Sequence, residues 1–507
     1  MMLDLARLPV YCLYAAIISL CLKVCKKRVA EYRKRKAHGC KAIPSYPQWD
    51  AIFGLDLALS QWKALTQHYY IPWLRKIHHN RPKTFTTKFL GTRQIYTIEP
   101  ENLKAMTALV WRDFGIRPLR GFKGYGKPFA DKGVNTVDGD DWVFSRFLIK
   151  PFFDRDVYTS TERLRPYVDH FLRILPPDGQ TYNVQPYVQR WFLDVTTDFI
   201  FGSPMDALTY LDRARITWAM LDVLRGIRLR IQMWKAYKLL DWSWWYKAVY
   251  SVHDFVDVHI TRAYTEIEER RAHLEAGEKE QDLGPERKDL LWHMASHCPD
   301  REELRSQLCL LLVPNNDTTS IFISNCIWHL ARHPDAWERC REEVLAHGDA
   351  PITFEALRGM KFINGVLNET HRLTPNNVTQ VRSCLRDTTL PLGGGPDGKS
   401  PIYVRKGDMV QVTKTVLQRD PEYWGDDADE FKPQRWLDAK HFWNFVPFGG
   451  GPRRCPAQMM VTTEAAYMLV RLGQIYRRIE ARDDNPYTAV MRVGPSNKTG
   501  VLVAFYK

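Results

Sequence analysis

No two cysteines in this 507-residue chain stand in a C-x-x-C spacing; the ten present are scattered at positions 12, 21, 25, 40, 298, 309, 326, 340, 384 and 455. That scatter argues against a zinc site or a disulfide scaffold and suits a reducing compartment. No internal repeat and no low-complexity tract is present. No small-residue cleavage site comes after the first apolar run, so that run does not read as a removable leader. What is present is ordinary globular material: 45% hydrophobic and 26% charged residues, enough for a sizeable core. Length alone leaves one to three domains open.

The formal net charge is +14, and half of it lies in the first 36 residues. There Arg7, Lys23, Lys26, Lys27, Arg28, Arg33, Lys34, Arg35 and Lys36 face only Asp4 and Glu31. Such a stretch fits either nucleic acid or an anionic membrane surface. The residues before it decide. Leu8 to Leu22 carries no charge and passes into Lys26-Lys27-Arg28. The run is shorter than the roughly 20 residues that span a bilayer comfortably, but Arg7 and Lys23 can snorkel at its ends. Residues 1–25 are therefore expected to be a single-pass anchor, with the body on the cytoplasmic side and no nucleic-acid partner. Residues 26–44 read as a basic linker and proline hinge, and 45–507 as one catalytic body.

From about Trp142 to Tyr264 apolar residues recur at three- and four-residue spacing, the helical signature. Residues 273–289 read as a charged surface loop. Long helices are expected over Arg301–His333 and Phe362–Leu373, short strands within 378–413, and a last helix after Cys455 reaching Ile479. The fold class is mainly α with small β-sheets (α+β). Gly393 to Ser400 satisfies the phosphate-loop pattern, which requires a strand before the loop and a helix after it. Here Pro396 lacks an N–H, Asp397 adds negative charge, and Pro401 opens a strand-like run. The segment reads as a turn.

The strongest local signal is Phe448-Gly-Gly-Gly-Pro-Arg-Arg-Cys455. Glycines let backbone N–H groups approach the sulfur, Arg453 adds a cation, and a helix starting beyond Pro456 points its positive end there. Each feature is expected to lower the thiol pKa, as a metal-ligating thiolate needs. A plain structural cysteine would explain neither the glycines nor the arginines.

These residues resemble the haem-binding signature of the cytochrome P-450 family, matching at Phe448, Gly451, Arg453 and Cys455, with Ala457 in place of the usual last glycine. The resemblance implies a P-450 fold holding haem (heme b), with iron bound by Cys455 and Arg453 on a propionate. Glu369-Thr-His-Arg372 resembles the family's ExxR pair, joined by Arg435 of Phe431-Lys-Pro-Gln-Arg-Trp436. Trp142 and Arg146 match its W-x-x-x-R helix, and Arg382 stands where another propionate arginine is expected. In the long helix Pro314-Asn-Asn-Asp317-Thr318 departs from the family's [AG]-G-x-[DE]-T, yet keeps the acid–alcohol pair for proton delivery. Pro314 is expected to kink that helix, and Asn315 to narrow the groove beside it.

Further stretches resemble the fungal branch acting on n-alkanes and fatty acids, among them His38-Gly-Cys40 and Gly393-Gly-Gly-Pro-Asp-Gly398. Asn376 and Asn377 would make the substrate pocket more polar than in that branch. The resemblance thus implies a monooxygenase inserting one atom of O2 into a hydrophobic small molecule of a specialised pathway, with terminal fatty-acid hydroxylation as the second reading. A non-oxidative haem isomerase or dehydratase and a haem sensor are the rivals from other classes. It also implies an NADPH-cytochrome reductase as partner, and membrane lipid of the endoplasmic reticulum. The tryptophans of 218–250, interleaved with Arg225, Arg228, Arg230, Lys235 and Lys238, suit either a membrane interface or core-facing helices.

Overall fold

The structure, a computed structural model, describes residues 8–120, 126–279, 282–283, 287–438, 443–492 and 494–507. The chain opens with helix α1, Leu8–Ala37, which carries the apolar run and the basic segment without a break. No helix among the described residues is long and apolar enough to cross a membrane. The last turns of α1 are tied to the body: Lys34 pairs with Asp387 at 2.6 Å and Glu31 with Arg405 at 2.9 Å.

Helices dominate the rest of the chain. Those that build or support the site are α2 (Asp140–Ile149), α3 (Gln185–Phe201), α4 (Ile216–Met233), α5 (Ser243–Glu275), α6 (Leu290–His297), α7 (Arg301–Arg332), α8 (Lys361–Leu373) and α9 (Gln458–Ile475). Helix α7 is buried on nearly every side, as expected of a helix at the centre of a large domain. Asp300 caps it by accepting from the N–H groups of Glu302 and Glu303 at 3.0 and 3.1 Å. The second half of α7 packs with α3, α8 and α9 in one core through Trp191, Phe322, Ile327, Val366 and Leu469. Its first half meets α4, α5 and α6 in a second core around Val223, Trp245, Val252, Leu291 and Leu308.

Strands β1 (Thr84–Phe89), β2 (Thr92–Thr97), β3 (Phe114–Gly115), β4 (Gln380–Cys384) and β5 (Met409–Val412) form a sheet in the order β1-β2-β5-β4-β3. Only β2 and β5 run parallel. This sheet carries Arg382 and rests on its own apolar cluster, including Ile95, Val410 and Val412. Near the C-terminus β6 (Ala489–Met491) pairs antiparallel with β7 (Pro495–Asn497).

Several boundaries differ from the expectations. The last helix ends at Ile475 rather than Ile479, because Tyr476 turns extended and Arg478–Ala481 pairs as a strand with residues 503–506. Helix α5 continues to Glu275, three residues into the expected loop. Pro314 lies inside α7 without ending it. Gly393–Ser400 forms the turn between strands Thr388–Gly394 and Ser400–Val404, so a strand, not a phosphate-binding helix, leaves it.

Candidate active site

The loop before Cys455 is folded tightly onto the segment Ala105–Leu109. Gly451 adopts φ +67°, and a Cβ there would collide with the Thr107 carbonyl. Only glycine satisfies both demands. The Cys455 N–H donates to the Phe448 carbonyl at 2.9 Å, closing the loop. Burial raises the thiol pKa, against the lowering effects of the Ala457 N–H and the Arg146 charge. The Ala457 N–H and the Arg146 charge do lower it, as features of this kind are expected to, but desolvation of the thiolate outweighs them. The Ala457 N–H, where the last helix begins, is the donor that favours the thiolate, and a metal bound at the sulfur would add to that stabilisation.

Around this loop the structure collects cations. Arg453 donates to the Val137 carbonyl at 2.9 Å and to Asp138 at 2.7 Å, and its guanidinium lies 4.7 Å over the Trp142 ring. Its buried Nε has no hydrogen-bond partner. The Arg382 pKa falls to about 9 through burial and then the charges of Arg120 and Arg453; only Asp138 opposes. Burial likewise lowers Arg146, which senses Cys455. Arg382 and Arg453 thus share the Asp138 carboxylate, and the positive charge of Arg120 acts on both. That surplus of positive charge fits a prosthetic group carrying two carboxylates, as haem does, beside a thiolate. Arg120 lies in no motif, and nothing in the sequence marks it.

Glu369 and Arg372, on one face of α8, form a bidentate ion pair at 2.8 and 2.8 Å with both side chains fully buried. Arg435 Nε reaches the same carboxylate at 3.0 Å, as do the Lys432 N–H at 2.9 Å and Trp436 Nε1 at 2.9 Å. The expected three-residue network is complete. It lies within the core, in a structural position.

Phe448 meets His371 edge-on at 4.9 Å, and His371 stacks on Phe322 of α7 at 3.8 Å. This row of rings couples the cysteine loop to the helix that carries Asp317 and Thr318. Asp317 is buried, and its carboxylate lies 3.7 Å from Arg492, just past β6. The half-buried Thr318 offers its carbonyl to Asn376 Nδ2 at 2.8 Å. Asn376 is thus turned toward α7, while Asn315 Nδ2 lies 3.5 Å from Thr196 Oγ1 on α3.

The tryptophan-rich segment divides. Trp242 and Trp245 belong to the core, Trp245 Nε1 donating to the Val223 carbonyl at 3.0 Å, whereas Trp218 is exposed. The side chains of Trp234 and Lys235 lie outside the described residues.

A mainly helical body, a glycine-bound cysteine loop and a buried Glu–Arg–Arg network define a haem-thiolate class of protein. The family model for Cytochrome P450 matches residues 44–491, and this chain belongs to that family. It is similar to Cytochrome P450 monooxygenase iliC of Neonectria sp. (strain DH2), 64% identical over 472 residues that cover 93% of each chain. Cytochrome P450 monooxygenase iccC of Talaromyces variabilis is 59% identical over the full length of both. Cytochrome P450 monooxygenase tenA of Beauveria bassiana is 53% identical, covering 100% of this chain and 99% of its own.

Proposed function

We propose that this chain is a haem-thiolate monooxygenase of a fungal specialised-metabolite pathway, taking electrons from an NADPH-dependent reductase. The observation that carries the reading is the cysteine loop, closed on Gly451 and ringed by cations, in a chain similar to monooxygenases over its whole length. Haem bound there supplies the activation of O2, and thiolate ligation favours O–O cleavage. Cys455 holds the iron; Arg382, Arg453 and Arg146 hold the carboxylates, with Trp142 beneath Arg453. Asp317 and the Thr318 hydroxyl would supply the protons that the reaction consumes, and Asn376 fixes the Thr318 carbonyl. Glu369, Arg372 and Arg435 keep α8 and the cysteine loop in register.

The substrate is a hydrophobic small molecule with polar handles, a reading supported by Asn376 and Arg492 beside the acid–alcohol pair. Residues 1–25 act as a membrane anchor of the endoplasmic reticulum, with the body in the cytoplasm. Support comes from the exposed Leu13, Ile17, Ile18 and Leu22 on α1 and the basic residues after them. Trp49, Ile52, Leu59, Trp218 and Leu239 are also exposed and suit a lipid-facing side.

The test is product mass from membranes holding this chain and a reductase, given NADPH and apolar extract of a fungal host. A product heavier by one oxygen that needs NADPH supports the reading. Turnover without NADPH would replace it with a non-oxidative haem enzyme.

A further inference from the structure

A lysine lies where the fold gives it no acid. Lys414, just after β5, is 1% exposed, and its ammonium donates to the carbonyls of Val446 and Pro447 at 3.1 and 3.3 Å. Those carbonyls immediately precede Phe448, whose own carbonyl receives the Cys455 N–H. Among the described residues no carboxylate forms an ion pair with Lys414. An ammonium has three donors, and burying its charge on carbonyls alone is costly.

Its charged neighbours deepen the anomaly. Arg382 repels it, and together with burial brings its pKa down to about 7 in the cofactor-free protein. Its charge also reaches His371, whose two ring nitrogens are buried without hydrogen-bond partners among the described residues. Burial first, and then Lys414, hold that histidine neutral, with its pKa near about 3. Any positive charge beside Phe448 therefore sits on Lys414 and not on His371. What would offset it is the Cys455 thiolate together with the carboxylates of a prosthetic group.

We propose that Lys414 is a positioning residue of the cysteine loop, a buried cation that fixes Val446 and Pro447 and raises the reduction potential of haem bound at Cys455. The inference rests on the haem-thiolate reading of the site. A fixed positive charge near the iron disfavours the more positive ferric state relative to the ferrous state, so electron uptake becomes easier. Tethering the two carbonyls keeps Phe448, and with it the acceptor of the Cys455 N–H, in place.

The experiment is spectro-electrochemical titration of the full-length haem protein as wild type, Lys414→Met, Lys414→Gln and Lys414→Arg. Lys414→Gln keeps a donor for the carbonyls but removes the charge; Lys414→Met removes both. Both are expected to lower the equilibrium constant for one-electron reduction about tenfold or more, equivalent to about 59 mV. Lys414→Arg is expected to stay near wild type. The carbonyl spectrum of the glutamine variant should keep its thiolate character, which a collapsed loop would not. A glutamine variant at the wild-type potential overturns the electrostatic role, and decides the matter even if the methionine variant does not fold. A wild-type chain without a thiolate–haem spectrum would instead overturn the underlying haem reading.

Discussion

The Arg492 guanidinium lies 3.7 Å from the Asp317 carboxylate, so the acid of α7 is tied to the hairpin β6–β7 near the C-terminus. The same hairpin is fixed to α7 farther along, where Asn325 Nδ2 lies 3.5 Å from the Pro495 carbonyl and Tyr487 donates to Asn325 at 3.2 Å. The position of Asp317 thus depends on a segment more than 150 residues away in sequence.

Replacing Arg492 by leucine removes the cation opposite Asp317 and frees its carboxylate from the hairpin. Less of the NADPH consumed is then expected to end in product. Asp317→Asn should cut product formation by about 100-fold, the lower range for loss of a general acid. Both are read as product formed per NADPH oxidised.

Glu369→Gln takes the charge from a fully buried carboxylate that serves Arg372, Arg435, Trp436 and a backbone N–H. Arg372 then loses its counter-ion, and Arg435 keeps only Asp427 at 3.4 Å. The expected loss is about 3–5 kcal/mol of stability, measured by urea unfolding, with less haem retained on purification.

Gly451→Ala places a Cβ against the Thr107 carbonyl at a positive φ. The loop can close only by moving, at a cost of at least about 1–3 kcal/mol. Haem content per polypeptide should fall while the far-ultraviolet circular dichroism stays near wild type.

Asp194 gives a pH signature remote from the cysteine loop. Burial lifts its pKa from 3.8 to about 6, although it accepts from the N–H groups of Ala207 and Leu208 at 2.6 and 3.1 Å. A carboxyl raised in the folded state binds its proton more tightly there, so its contribution is full below the unfolded pKa. It is lost as pH rises through the folded pKa, between about pH 4 and about pH 6. The loss is on the order of 3 kcal/mol for a shift of this size. Asp194→Asn should flatten that part of the stability–pH curve, monitored by thermal unfolding across the window.

The long helices are legible in the sequence because their apolar periodicity is strong, and α7 departs from its expected end by one residue. The phosphate-loop pattern is excluded from sequence alone, since Pro396 and the strand after it are local features. The end of α9 is not legible: Tyr476 turns extended to join a strand whose partner is the chain's last segment. Cys455, the ExxR pair and Arg435 are readable because each lies in a short motif. Arg120, His371, Lys414 and Arg492 are not, because their roles come from burial and from neighbours distant in sequence. The direction of the thiol pKa shift is hidden for the same reason, as a motif reveals donors but not desolvation.

The most direct test of the central claim is the carbon-monoxide difference spectrum of the reduced protein, wild type against Cys455→Ala, at equal folded concentration. Wild type should show the thiolate-type band, and Cys455→Ala should lack it and yield no product. A thiolate-type band that survives in Cys455→Ala would contradict the assignment of Cys455 as the iron ligand.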